Sequence, residues 1–471
     1  MESKEQVKQE NPENKVTELP ANAYKELAPG EEYNPILPAD KPATEITGYS
    51  LVMGVIMAII FSAATAYSGL KIGQVFEAAI PIAIIAVGVS AALRKKNALG
   101  QNVIIQSIGS SSGVVVAGAI FTIPGLYILQ AKYPEIEVNF WQIFFASLLG
   151  GILGILFLIP FRKYFVKDMH GKLPFPEATA TTEILMTGEK GGNKAKLLVV
   201  SGVIGGLFDF CFAQFRLWSE VITSKIIPAG AVLADKYKMV FKFNVSSLIF
   251  SFGYLVGLRY ALIIVCGSLL SWLVLVPLVN EIGVLGVVAG GGINPFEAMS
   301  AEMIFNSYVR NIGIGAIAMA GIIGIIKSSD SIKTAFSMAT GKKVATGSHE
   351  QTTKRTDRDL KMSVVAIFLL FALLAVFTFL LVGVEITPTQ SVVALIAIGV
   401  ISFLFTTVAA NAIAIVGSNP VSGMTLMTLI LVSVILVGVG VGGPKGMVSA
   451  LIIGGIVCTA LSMAGGFVTD L

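Results

Sequence analysis

Charge is what this chain has least of. Asp, Glu, Lys and Arg make up 13% of its 471 residues, where a soluble domain carries about 25%. The net charge of +4 is small and spread over loops, so it gives no case for a nucleic-acid partner. Histidine is nearly absent. The two that occur, His170 and His349, fall in loops, and His349-Glu350 does not continue to HExxH, so a zinc-hydrolase site is unsupported. The three cysteines, Cys211, Cys266 and Cys458, sit far apart in apolar runs without a CxxC pair. That spacing reads as buried free thiols, not as a metal site. Gly438 to Gly443 has the glycine spacing of a phosphate-binding loop but runs into Pro444 instead of Lys-Ser/Thr. No haem, flavin or iron–sulfur ligand pattern occurs. The expectation is a non-enzymatic chain with no cofactor and no metal.

What the chain does have is apolar length. It is 55% hydrophobic, with a mean hydropathy of +0.81, and several windows longer than 18 residues carry no charge. Such windows read as membrane-crossing helices. The predicted fold class is an all-α, polytopic transmembrane bundle with discontinuous or re-entrant segments. Its 49 glycines fit helices that approach closely. Residues 1–45 hold ten acidic residues, five basic residues and six prolines, the composition of a disordered or loosely docked tail. Residues 46–471 are expected to form one transmembrane domain, and the loop 327–361, with eight Lys or Arg, joins its two parts. Spans are expected near 46–68, 76–93, 101–123, 139–160 and 197–215, then two within 243–279. Others follow near 304–326, 362–384, 390–412, 421–441 and 446–466. That makes about eleven or twelve, with 216–242 unplaced. The basic loops at 94–96, 161–167 and 327–361 fall on one side if the N-terminus is cytoplasmic. The localisation expected is multi-pass in the cytoplasmic (inner) membrane.

Residues 161–188 interrupt this pattern. Arg162, Lys163 and Lys167 open the stretch, then comes Leu173-Pro174-Phe175-Pro176-Glu177, then small and hydroxylated residues to Glu183. Two prolines one residue apart forbid a continuous helix. Pro176 and Glu177 suit a first turn, where proline is tolerated and a carboxylate meets the positive dipole end. One reading is a broken segment whose helix start faces a cavity, since irregular backbone at membrane depth needs protein or water around it. The other is an amphipathic helix on the membrane surface. Further glycine/proline interruptions occur at 290–295 and 417–423.

Span three is unusually polar, with Gln101, Asn102, Gln106, Ser110 and Ser111; a helix so polar faces the bundle interior. Gly109 to Gly113 formally matches GxSxG, but a nucleophile elbow needs a strand-turn-helix setting and a histidine. What remains is a secondary transporter, coupled through a titratable group in its pathway. The proton-coupling candidates are Glu177, Glu183 and Asp209. Glu177 leads because it sits on a break, where hydration can change, and dehydration favours a protonated carboxyl. The plainer alternatives are a helix-start carboxylate at Glu177 and an ion pair at Asp209. Arg310 suits a substrate carboxylate, or a snorkelling role at the interface. The remaining pathway candidates are Tyr67, Lys71, Pro174, Pro176, Thr179, Tyr308, Asn411, Asn419 and Ser422.

At these residues the sequence resembles the oligopeptide transporter (OPT) superfamily, bacterial branch. The carrying segments are Gly69-Leu70-Lys71-Ile72-Gly73, Leu173 to Ala180 with Glu183, Tyr308 to Gly315, and Asn419-Pro420-Val421-Ser422-Gly423-Met424-Thr425. The likeness runs through most of residues 30–471. It implies proton-coupled uptake of short peptides, or alternatively of metal chelates, with protons and the lipid bilayer as partners and a homo-oligomer as one arrangement. It also implies about sixteen spans built by internal duplication. Against that pattern the chain reads as C-terminally truncated at Thr469-Asp470-Leu471, which makes a non-transporting scaffold fragment the alternative from another class.

Overall fold

The structure is a computed structural model. It describes residues 19–471 apart from 29–30, 32, 34, 38–44, 73–74, 76–77, 96, 190–192, 257, 291–295, 297, 314, 317–318, 320–322, 324–359 and 418–420. Residues 1–18 of the acidic tail, nearly all of the basic loop 327–361 and most of the break at 290–295 therefore lie outside the described residues.

The chain builds an all-α bundle. In order, α1 is Gly48–Ile72, α2 Ala79–Ala92, α3 Leu99–Ala119, α4 Pro124–Lys132 and α5 Phe140–Leu158. A 3-10 turn and a π turn, Tyr164–Asp168, lead to α6, Pro176–Glu189, and α7, Asn193–Phe215. The unplaced stretch 216–242 becomes a small excursion from the bundle. Strand β1 (Val221–Thr223) pairs antiparallel with β2 (Lys242–Asn244), with Ile222 opposite Phe243, around α8 (Pro228–Lys236). Then follow α9 (Ser247–Val256), α10 (Leu258–Leu269), α11 (Val276–Gly290) and the short α12 (Ala301–Ile304). The last four are α13 (Met362–Val382), α14 (Pro388–Val416), α15 (Val421–Gly438) and α16 (Gly443–Asp470).

Seven helices among the described residues are long and apolar enough to cross a membrane, with three shorter apolar ones at Ala79–Ala92, Val200–Phe215 and Met427–Gly438. Their outward faces are apolar. Ile367, Phe368, Leu370, Phe371 and Leu374 of α13 are all exposed, a surface that only hydrocarbon covers favourably. Phe140, Trp141, Phe144 and Phe145 form an exposed aromatic cluster at the start of α5, as expected at a membrane–water boundary.

Helix ends follow local chemistry. Asn139 accepts from the Trp141 N–H to start α5. Thr387 and Gln390 form a reciprocal capping box on α14, with Pro388 at its first position. Gly417 closes α14 in the left-handed region at φ +80°.

The core is organised around α16, which packs against α3, α5, α14 and α15. Ile453, Ile456, Val457, Cys458, Ala460 and Leu461 are completely buried. Glycines let the neighbours approach this closely. A Cβ on Gly118 would run into the Thr459 backbone, one on Gly150 into the Ile456 carbonyl, and one on Gly154 into the Ala460 carbonyl. Ser462 donates to the Val114 carbonyl at 2.7 Å. Lipid gives helices no hydrophobic reason to associate, so such close packing and interhelical hydrogen bonds hold the bundle.

Candidate functional site

The interruption at 173–176 is real and local. Backbone regularity ends at the π turn and resumes at Pro176, the first residue of α6, with Glu177 in the first turn. Phe175 adopts φ +39°, a conformation side-chain-bearing residues rarely hold. Its N–H donates to the Ala414 carbonyl at 2.9 Å. Pro176 packs against the end of α14, where a Cβ added to Gly417 would lie 2.5 Å from Pro176 Cγ. The first interruption is thus seated on the end of α14, where the 417–423 interruption begins.

Beside this junction lies a cavity of about 640 Å³. Glu177, Ala178, Thr181, Thr182, Leu185 and Met186, one face of α6, form a wall. Leu99, Gly100, Val103, Ile104 and Gln106 of α3 form the facing wall, and Thr469 and Asp470 of α16 the floor. Glu45 and the chain at Pro35–Leu37 complete the lining.

Asp470 is held by three side chains of α3. Gln106 Nε2 donates to its Oδ1 at 2.9 Å and Ser107 Oγ to Oδ2 at 3.1 Å. Ser110 Oγ reaches both oxygens at 3.1 Å. The polar stripe of α3 therefore divides by role. Gln106 and Ser110 hold Asp470. Asn102 accepts from Ser90 Oγ at 2.5 Å and Gln101 from Lys95 Nζ at 3.4 Å, which ties α3 to α2. Ser111 Oγ donates to its own helix at Ile108 O, 2.8 Å. Because α3 is a continuous helix here, the GxSxG match has no elbow.

The other candidates scatter. Glu183 accepts from Tyr24 OH at 2.6 Å. Asp209 accepts from the Ser247 N–H at 2.9 Å and from Ser246 Oγ at 3.4 Å, which caps the start of α9. Thr179 Oγ1 donates back to the Pro174 carbonyl at 3.5 Å; Pro174 itself is exposed. Tyr67 is exposed at the end of α1, and Asn411 is half-buried in α14. Tyr308 and Arg310 are exposed, Tyr308 edge-on to Phe296 at 5.2 Å, and neither lines the cavity. The Lys71 and Ser422 side chains and all of Asn419 lie outside the described residues.

A second cavity, of about 700 Å³, lies at the other end of α16. Glu135, Glu137, Asn139, Gln142, Glu385, Gln390, Lys445 and Ser449 line it, with Ile452 at its base. From Ile452 to Thr469 the helix advances roughly 25 Å at about 1.5 Å per residue. Completely buried side chains between Ile453 and Ala464 occupy most of that interval. Within it Thr459 Oγ1, and Ser402 Oγ on α14, have no hydrogen-bond partner among the described residues.

The N-terminal stretch supplies part of the wall of the first cavity. The Asn22 carbonyl lies 2.9 Å from His170 Nε2, and Tyr33 packs its ring against His170. Ile36 and Leu37 pack beside Leu99, Leu185 and Met186. The Ala28 N–H and Asn22 Nδ2 bind Glu31 and hold its carboxyl below the usual range.

Asp470, Thr181 and this N-terminal stretch are absent from the sequence-based site. Asp470 had a signal: an ionisable residue one turn beyond a long apolar run. The expected span closed at 466, which left it outside the membrane.

A family model described as OPT oligopeptide transporter protein matches residues 45–471. A protein of Haemophilus influenzae described as "Putative oligopeptide transporter" is 28% identical over 386 residues. That match covers 79% of this chain and 58% of the relative, so the chain spans less than two thirds of that protein's length.

Proposed function

We propose that this chain, which belongs to the OPT oligopeptide transporter family, is a proton-coupled secondary transporter. It takes short oligopeptides across the cytoplasmic membrane, with its N-terminus in the cytoplasm.

The observation that carries the reading is the pair of cavities at opposite ends of α16, with a sealed interval between them. Alternating access needs such a pair, opened one at a time around a site at a broken helix. Hydroxyls in the seal without a partner among the described residues, Thr459 and Ser402, support a second state in which water reaches them, since buried polar groups ordinarily have partners. Glu177 is the coupling group. It stands in the first turn of α6, on the cavity wall, where opening and closing change its hydration. The basic residues Arg94, Lys95, Arg162, Lys163 and Lys167 flank the same end of the bundle, which supports a cytoplasmic mouth for this cavity.

The test is uptake of labelled di- to pentapeptides into proteoliposomes under an inward proton gradient, beside an iron chelate. Peptide uptake should collapse with the gradient and in Glu177→Gln. Gradient-driven uptake that survives Glu177→Gln removes the coupling role. Uptake of the chelate alone replaces peptide with chelate as the substrate, and no uptake of either leaves a scaffold.

A further inference from the structure

Among the described residues, the charged side chains that line the first cavity are of one sign: Glu45, Glu177 and Asp470 contribute carboxyls, and no Lys, Arg or His is among the described residues that line it. The rest is largely apolar, with Leu99, Val103, Leu185 and Met186. Thr181 gives an independent sign of a missing occupant. It is 5% exposed, it lines this cavity, and its Oγ1 has no partner among the described residues. Thr181 lies one turn beyond Glu177, on the same face of α6. A buried hydroxyl without a partner costs stability unless something arrives to meet it.

We propose that this cavity seats the ammonium group of an apolar amine, with Asp470 as counter-charge and Thr181 Oγ1 as second acceptor. For a peptide this is the N-terminal end, and that part of the proposal rests on the oligopeptide reading above. The geometry around Asp470 suits the task. A carboxylate accepts at about four lone-pair positions. Gln106 and Ser107 take one oxygen each, while Ser110 is shared between both. Ser110 Oγ also reaches the Ser107 carbonyl at 3.2 Å. It can turn to that carbonyl and free an oxygen for an incoming N–H without losing a partner. Gln106 and Ser107 then keep the carboxylate aimed. The apolar wall receives the side chain next to the ammonium.

The decisive probes are leucinamide and N-acetyl-leucinamide, titrated calorimetrically into the purified full chain in nanodiscs. Leucinamide has an ammonium beside an isobutyl group and no carboxylate; acetylation removes the charge and keeps the bulk. Leucinamide is expected to bind at least about tenfold more tightly than its acetylated form. Asp470→Asn, checked for native tryptophan fluorescence, should erase that preference. Thr181→Val is nearly isosteric and breaks no existing bond. It should weaken leucinamide binding about threefold and leave N-acetyl-leucinamide unchanged. Equal affinities for the two probes, or an unchanged preference in both variants, would overturn the site. Leucinamide binding without peptide uptake defeats the transport reading and keeps the site. Peptide uptake without leucinamide preference does the reverse.

Discussion

The Phe175 N–H donates to the Ala414 carbonyl at 2.9 Å, and this bond joins two interruptions that lie far apart in the chain. Ala414 stands in the last turn of α14, where carbonyls lose their intrahelical partners. Phe175 stands just before α6, where an N–H has no helix to serve. Each supplies what the other lacks.

Gly417 is the place to test that junction. It holds φ +80°, and a Cβ there would meet Pro176 Cγ at 2.5 Å. Gly417→Ala is expected to cost about 1–3 kcal/mol from the backbone conformation alone. The purified protein should melt lower and lose uptake. A variant that melts and transports like the parent would show that the two interruptions are not coupled.

The seam between α5 and α16 makes a sharper contrast. Gly154→Ala forces a methyl into the Ala460 carbonyl and should destabilise by about 1–3 kcal/mol. Gly88 lies in α2 with nothing within 4 Å of an added Cβ. Gly88→Ala should be neutral, or stabilising by up to about 1 kcal/mol. Thermal unfolding in one detergent ranks the two, and equal melting temperatures would deny the close-packing account.

Acid should loosen the excursion around β1 and β2 before the bundle. Glu302, outside the candidate spans, meets Lys242 Nζ at 2.8 Å and Lys225 Nζ at 3.3 Å. Desolvation works to raise its pKa. The hydrogen bonds from Lys242, its own N–H, Ser300 and Lys225 outweigh that and bring it down to about 2, from an ordinary 4.5. A carboxyl with a depressed folded pKa stabilises above its unfolded value, and the contribution fades as pH falls. The window runs from about 4.5 down to about 2. All three side chains are partly exposed, so the effect is about 1 kcal/mol or less. Amide protection at Val221–Thr223, taken relative to the intrinsic exchange rate at each pH, should fall across that window, and Glu302→Gln should flatten the response.

The N-terminal stretch has its own lever. Gly171 holds φ +72°, and a Cβ on it would strike the backbone of Lys25 and Glu26. Gly171→Ala should lift residues 19–28 and speed tryptic cleavage after Lys25. Tyr24→Phe, which removes one hydrogen bond to Glu183, should cost about 0.5–1.5 kcal/mol and act in the same direction. Unchanged cleavage in both variants would mean the stretch is held elsewhere.

The interruption at 173–177 was legible because proline chemistry is local: Pro174 and Pro176 forbid a helix whatever surrounds them. The span-three stripe was legible as a stripe, and Gln106 and Ser110 do hold a polar group. Their partner was not legible, since Gln106 and Asp470 are 364 residues apart and no periodicity links them. Asp209 shows the opposite limit. A carboxyl within an apolar span reads as a coupling group or half of an ion pair, and among its contacts here is the Ser247 N–H. Capping a distant helix start leaves no mark near residue 209.

Pro35–Leu37 are wall material for the first cavity, and residue 19 is only sixteen positions upstream. A fluorophore attached near residue 19 is therefore leashed to the cavity wall. Such a dye becomes an occupancy reporter, and a bulky label there becomes an obstruction, so purified material carrying either differs from the unlabelled protein at the edge of this cavity.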